Sequence, residues 1–212
     1  MYQYVNNATV QPYRSFCSDK MNQIKQLLYH DYDIVASFSL IGSGAKNLVT
    51  QNEAASFDLD YNLEIQSHTI EYLDAKKLKT IVMNMLNKIL SNQNCPFSDS
   101  QDSTAVITSR WIDKNKLKFS FDIAILAKNV NGSLCRMIHD KHDERYFWTE
   151  IPNSSDVFKK MELLKENGWW SRIRETYLVK KNMYLQRNDM THPSFVVFVE
   201  AINEVYNFAK SR

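Results

Sequence analysis

The sequence predicts an α+β fold: a mixed β-sheet with flanking helices over residues 1–150, followed by a helical C-terminal lobe over 151–212. Three observations carry this expectation. Residues 57–65 alternate strictly, with Phe57, Leu59, Tyr61, Leu63 and Ile65 on one face and Asp58, Asp60, Asn62 and Glu64 on the other. Two strand-like runs, 104–112 and 117–127, are joined by Asp113-Lys114-Asn115-Lys116 in the manner of a hairpin. Beyond Ile151-Pro152 the apolar residues recur only at helical spacing.

The elements follow in order. Met21, Ile24, Leu27 and Leu28 predict a helix over 18–30, with Ser18 as its N-cap. Residues 34–41 are rich in apolar and β-branched side chains and end at Gly42-Ser43-Gly44, which reads as a strand entering a tight turn. Leu78, Ile81, Val82, Met85, Leu86 and Ile89 form one stripe of a helix over 74–90, capped by Asp74. After the hairpin, the turn Asn131-Gly132-Ser133 leads to a short strand over 134–138. The helical lobe has segments at 155–167, closed by Gly168; at 170–187; and at 193–210, with Pro193 at its first position.

Composition narrows the class. A chain of 212 residues, 44% hydrophobic and 24% charged, can bury a sizeable core and is neither disordered nor a disulfide scaffold. No apolar run reaches the ~18 residues of a membrane span, and residues 1–20 lack the charged and apolar regions of a secretory signal. Cys17, Cys95 and Cys135 form no metal-binding pair and read as thiols in a reducing compartment, so a cytoplasmic protein is expected. A net charge of +2 excludes a dedicated DNA-coating protein but permits a local basic cleft.

Three features point to chemistry. Asp58 and Asp60 lie two apart on a strand and so project from one face, where they repel unless a cation sits between them. Hard oxygen ligands at that spacing suit Mg²⁺ or Mn²⁺, although an edge strand with one solvated face would alternate in the same way. Gly42-Ser43-Gly44 uses two of the only four glycines in the chain. A strand entering such a turn presents backbone N–H groups to an anion, and a helix starting near Ala45 would add its positive end. Ser43 supplies a hydroxyl and Lys46 a charge, yet the P-loop spacing is absent, and an ordinary strand-exit turn is the plainer reading. Finally, Asp122 interrupts an otherwise buried strand, facing the same way as Ser120 and Ala124. A carboxylate there is costly unless paired, hydrogen-bonded or on a metal.

In this order, Ile41-Gly42-Ser43, Asp58-Leu59-Asp60-Tyr61 and Asp122 resemble the signature of the DNA polymerase β-like nucleotidyltransferase superfamily. The helical lobe makes the chain more similar to the nucleotide cyclase and oligoadenylate synthase-like branch than to a polymerase. The motifs cover about residues 18–127, and the connection from Ser43 to Asp58 is longer than usual, absorbed by an enlarged loop at 47–56. The resemblance implies a nucleotidyltransferase-like core over 1–150 and Mg²⁺-dependent transfer of a nucleoside monophosphate from an NTP, ATP first among them, to an acceptor hydroxyl. Asp58 and Asp60 would bridge two metal ions and Asp122 would complete the one that activates the acceptor. Gly42, Ser43, Gly44 and Lys46 would meet the nucleotide. The acceptor could be a small molecule, a second nucleotide, an RNA end or a protein. The alternative is a catalytically silent nucleotide-binding regulator on the same fold.

Other candidates read more plainly. His139-Asp140-Lys141-His142-Asp143 is expected to be a solvated turn rather than a metal cluster. Arg110, across the hairpin from the Asp122 strand, could reach a phosphate or be a surface charge. Arg172, Arg174, Lys180, Lys181 and Arg187 could line a cleft or form a solvated helix face, and Trp169, Trp170, Tyr177 and Tyr184 are expected in the core of the helical lobe.

Overall fold

The computed structural model describes residues 1–91, 97–189 and 192–212; Cys95 lies outside them. In chain order the elements are β1 (Tyr2–Tyr4), α1 (Asn7–Tyr32), β2 (Ala36–Ile41), a single helical turn α2 (Gly42–Ala45), β3 (Thr50–Asn52), β4 (Phe57–Ile65) and α3 (Ala75–Ser91). There follow β5 (Gln101–Asp102), β6 (Ile107–Asp113), β7 (Lys116–Lys128), β8 (Leu134–Asp140), β9 (Arg145–Glu150), α4 (Ser155–Glu166), α5 (Trp170–Gln186) and α6 (Ser194–Lys210). The architecture is α+β, a mixed sheet with helices and then a helical region. The chain divides into two compact units.

The larger unit comprises Asn6–Val49 and Ala55–Ile151. Its sheet runs β2-β4-β7-β6-β5, with β8 and β9 added beyond the end of β7. β4 and β7 are parallel, and the other pairs are antiparallel. β4 occupies one edge of β7 from Phe119 to Ala127, while β6 and β8 share the other. The alternation in residues 57–65 holds: Phe57, Leu59, Tyr61, Leu63 and Ile65 are all buried. With Phe119, Phe121, Ile123 and Ile125 of β7 they make the apolar face, against which Tyr13 of α1 sets its ring at 5.1 Å from Phe57 and 4.6 Å from Phe119. The β6–β7 hairpin closes through Lys114 and Asn115, both at positive φ (48° and 60°), as a type I′ turn requires.

Expectations are corrected at the first helix, at residues 139–143 and at Pro193. The first helix begins at Asn7, not at residue 18, and Ser18 lies inside it. Asn6 is the true cap, accepting from the Ala8 amide at 2.9 Å, and the buried stripe reaches back through Cys17 to Val10. Pro12, which forfeits only one backbone bond there, hid this extension. The second correction concerns residues 139–143. His139 and Asp140 belong to β8, and the turn is confined to the exposed residues 141–144 before β9, a strand the sequence did not announce.

His139 is buried in a charged cluster. Its Nδ1 lies 3.0 Å from Asp102, its ring stacks 4.0 Å from that of Tyr146, and the Tyr146 hydroxyl donates to Asp102 at 2.6 Å. Lys79, 3% exposed, meets Asp102 at 2.5 Å and donates to the Ser103 carbonyl at 2.6 Å. Burial pulls the Lys79 ammonium below its ordinary value despite the pairing. Burial also pushes Asp102 up, but the bonds from Lys79 and Tyr146 outweigh it and hold that carboxyl below its usual range. The favourable side of the pair is therefore Asp102.

The second unit comprises Met1–Val5, Thr50–Ala54 and Pro152–Arg212. Pro193 caps α6 rather than opening it. α5 and α6 pack through Ile173, Tyr177, Val197, Phe198, Ala201 and Ile202, all buried. Gly168 takes φ +79° just beyond α4, as a C′ residue does. The enlarged loop is not irregular throughout: β3 within it pairs antiparallel with β1. No described helix is long and apolar enough to cross a membrane.

Asp102→Asn is expected to destabilise the protein by about 3 kcal/mol, because it leaves Lys79 buried without its counter-charge. In the wild type this contribution is present above pH ~4 and disappears as pH falls through the depressed Asp102 value. Denaturant unfolding of wild type and variant between pH 3 and 7 checks both.

Candidate functional site

The site is built on the sheet face opposite the aromatic core. Register brings its members into two rows. Asp60 stands beside Asp122 across the parallel β4–β7 pair, and Asp122 faces Thr108 across β6. In the next row Asp58 pairs with Ser120, and Ser120 with Arg110. Each residue points the same way because strand positions two apart share a face. Ligand atoms of Asp58, Asp60 and Asp122 all lie within 4.8 Å of one another.

Three carboxylates this close raise one another's cost of ionisation. Burial, then the charges of Asp58 and Asp122, push Asp60 up to about 6, with Lys46 acting against them. Burial also pushes Asp122 up, aided by the Asp58 charge and opposed by Thr108 and Arg110. Asp122 Oδ1 is buried with no hydrogen-bond partner. A hard-oxygen donor set with one orphaned buried oxygen fits a divalent cation such as Mg²⁺ or Mn²⁺.

The glycine turn lies against this cluster. Gly42 has φ +61°, and a Cβ there would stand 2.5 Å from Asp60 Oδ2, so only glycine lets the turn approach. Gly44 has a different reason to be glycine. A Cβ would meet Leu59 Cδ2 at 2.8 Å and Leu40 Cδ1 at 2.9 Å, which is a packing limit on the core side. No helix continues beyond Ala45, so the condition for a helix end at the turn is not met. The turn closes when the Lys46 and Leu48 amides donate to the Ser43 carbonyl at 3.3 and 2.9 Å, with Asn47 at φ +55°. The positive end of a long helix is thus unavailable, and the turn offers its own backbone and the Lys46 ammonium, which donates to the Gly42 carbonyl at 3.2 Å.

The sequence reading missed Arg14. Its guanidinium donates to the Gly44 carbonyl at 2.6 Å, to Asn47 Oδ1 at 2.9 Å and to Asn7 Oδ1 at 2.8 Å, fixing the turn to α1. Only a correct helix start would have placed it. Arg110 donates to Gln101 and, among the described residues, has no carboxylate within 4.0 Å. The basic residues of α5 are engaged within their own unit: Arg172 with Glu175 at 3.0 Å, Lys180 with Glu204 at 2.9 Å, Arg174 over the Tyr4 ring at 4.1 Å and Lys181 with Thr50 Oγ1 at 2.8 Å. Tyr177 is core, as expected; Trp169 sets its ring edge-on to Phe208 at 5.8 Å, and the Tyr184 hydroxyl donates to Glu200 at 2.9 Å.

The architecture matches the nucleotidyltransferase fold. Solved structures share it at low sequence identity. Escherichia coli DncV in its 3'-deoxy GTP-bound form superposes with a TM-score of 0.66 at 10% identity, over 94% of this chain and 68% of that one. CdnC of E. coli MS115-1 with ATP gives 0.61 at 16% identity, over 96% and 62%. The Vibrio cholerae DncV cyclic AMP-GMP synthase, in complex with the linear intermediate 5' pppA(3',5')pG, gives 0.58 at 9% identity, over 84% and 60%. The chain spans about half to two thirds of the length of the solved structures it matches. No family model and no curated protein matches it.

Asp60 binds its proton more tightly folded than unfolded, so its ionisation costs stability as pH rises from about 4 through about 6. Asp60→Asn is therefore expected to stabilise the ligand-free protein at pH 7 by roughly 2 kcal/mol, and by less at pH 5. Thermal unfolding at the two pH values checks it; equal effects at both would mean that the carboxylate is not under strain.

Proposed function

We propose that this protein is a Mg²⁺-dependent nucleotidyltransferase that moves a nucleoside monophosphate from an NTP to an acceptor hydroxyl. The observation that carries the reading is the placement of Asp58, Asp60 and Asp122 within 4.8 Å beside a turn that touches Asp60. Charge repulsion of this kind is tolerated where a site is built for cations and polyphosphate. The fold shared with DncV and CdnC supports an NTP as donor. A second nucleotide is the acceptor we favour, because V. cholerae DncV is a cyclic AMP-GMP synthase captured with a linear dinucleotide intermediate.

In this reading Asp58 and Asp60 hold the cations and Asp122 completes the set on the acceptor side. Divalent ions bound there would clamp the attacking and leaving oxygens and acidify the acceptor hydroxyl. Gly42 allows the phosphates to approach the turn, whose backbone and Ser43 orient them. Lys46 leaves the Gly42 carbonyl to meet phosphate charge. Arg14 keeps the turn in place without touching substrate. Asp122 Oδ1, buried with no hydrogen-bond partner, would be the oxygen that meets the cation on the acceptor side.

Incubation with each labelled NTP and Mg²⁺, alone and with candidate acceptors, tests the reading. The wild type is expected to transfer label and release pyrophosphate. Asp58→Asn and Asp60→Asn should each lower turnover by about 10²–10³-fold or more, the scale of losing one electrostatic stabiliser of a transition state. Asp122→Asn should lose turnover comparably while NTP affinity changes little, since its contribution is made in the transition state. Retained turnover in all three variants would refute the assignment.

A further inference from the structure

Arg110 shares the sheet face of the three carboxylates. It stands directly opposite Ser120 on β7, and Ser120 stands directly opposite Asp58 on β4. Paired positions share a face, so Asp58, Ser120 and Arg110 form one row beside that of Asp60, Asp122 and Thr108. The backbones of Asp58 and Arg110 are two strand spacings apart, about 10 Å. Ser120 lies between them and is too short to fill that span.

A guanidinium on this face would be expected to pair with one of the carboxylates. This one does not. Among the described residues it has no carboxylate within 4.0 Å, and it donates instead to Gln101 Oε1. Gln101 belongs to β5, on the far side of β6 from the carboxylates, so the bond draws the guanidinium outward. Its partner is neutral and leaves the charge in place. That charge is felt at Asp122, whereas the charge of Lys46 is felt at Asp60. The two cations therefore stand at opposite ends of the acidic cluster: Lys46 follows β2 and Arg110 is on β6, with β4 and β7 between those strands.

We propose that Arg110, held out by Gln101, is a specificity-determining residue for the acceptor: it binds a phosphate of a molecule that carries its reacting hydroxyl and its phosphate at opposite ends, as a nucleotide does. This deepens the function proposed above and rests on it, because that reading puts the acceptor on the Asp122 side. A planar guanidinium matches phosphate oxygens in pairs, and its bonds to an anion are stronger than its bond to a neutral amide, so phosphate displaces Gln101. A nucleoside or a protein hydroxyl brings no anion and gains nothing from Arg110.

The test supplies donor and acceptor separately, with Mg²⁺. The donor is α-labelled 2′,3′-dideoxy-ATP, which has no acceptor hydroxyl. One acceptor is α,β-methylene-ATP, which has the triphosphate but cannot give up its own nucleotide; the other is adenosine, with the same hydroxyls and no phosphate. Wild type is expected to prefer α,β-methylene-ATP by about ten- to a hundredfold in kcat/KM, the factor of a hydrogen bond to a charged group. Arg110→Gln should lose that preference through a raised KM for α,β-methylene-ATP, with the KM of the donor unmoved. Arg110→Lys, which keeps the charge but not the fork, should retain part of it. The proposal is overturned if wild type uses the two acceptors equally, if Arg110→Gln keeps the preference, or if Arg110→Gln lowers kcat on both acceptors alike, since Arg110 would then serve the transferred phosphate. If wild type labels neither acceptor, the nucleotidyltransferase reading fails, and calorimetric titration with inorganic tripolyphosphate decides for Arg110: weaker binding by Arg110→Gln than by wild type leaves Arg110 as a phosphate site, and equal binding overturns that as well.

Discussion

Mutual repulsion among Asp58, Asp60 and Asp122 is the constraint on which the rest of the structure depends. Three carboxylates within 4.8 Å of one another are unfavourable unless a rigid frame holds them and a cation compensates them. The frame is the parallel β4–β7 pair, which makes Asp60 and Asp122 direct neighbours and leaves no freedom for either to turn away. The reverse face of the same strands is a close-packed set of Phe57, Leu59, Phe119, Phe121 and Ile123. Burial of that face supplies the stability that the acidic face consumes. Asp60, pushed up to about 6, is the measurable residue of this tension.

The glycine turn is the second half of the arrangement, and it is held from outside itself. A four-residue helical turn with two glycines has little rigidity of its own. Arg14 ties it to α1, and the Ser43 carbonyl collects the Lys46 and Leu48 amides. The turn can therefore touch Asp60 closely without being part of the sheet. Lys46 and Arg110 flank the acidic cluster, and both oppose its charge, Lys46 at Asp60 and Arg110 at Asp122. That polarity is what an anionic substrate bridging acidic ligands through cations would need.

Much of this was legible in the sequence because it depends on period and spacing. Strand β4 was readable to the residue, since strict alternation fixes both its ends and its faces. Asp122 stood out as a charge in an apolar run, and four glycines in the whole chain drew attention to residues 42 and 44. What escaped was whatever depends on partners distant in sequence. Arg14 reads as one more basic residue until α1 is known to start at Asn7. His139 looked like part of a polar turn because its burial requires Lys79 and Asp102, both distant in sequence, and a strand β9 that carries Tyr146 opposite it. β1 and β3 are three-residue strands with no pattern of their own and exist only as a pair supported by α5. Gly42 and Gly44 looked equivalent as letters, yet one answers to a carboxylate and the other to two leucines.

The most direct measurement is a Mn²⁺ titration followed by electron paramagnetic resonance, with a non-hydrolysable ATP analogue present, on wild type and on Asp60→Asn. The account predicts that wild type takes up Mn²⁺ cooperatively with nucleotide and that two closely spaced ions give an exchange-coupled signal. Asp60→Asn should fold, lose that coupling and bind the ions much more weakly. Uptake that is the same in both proteins, or no uptake by wild type with nucleotide present, would contradict the claim that these three carboxylates form a metal site for nucleotide chemistry.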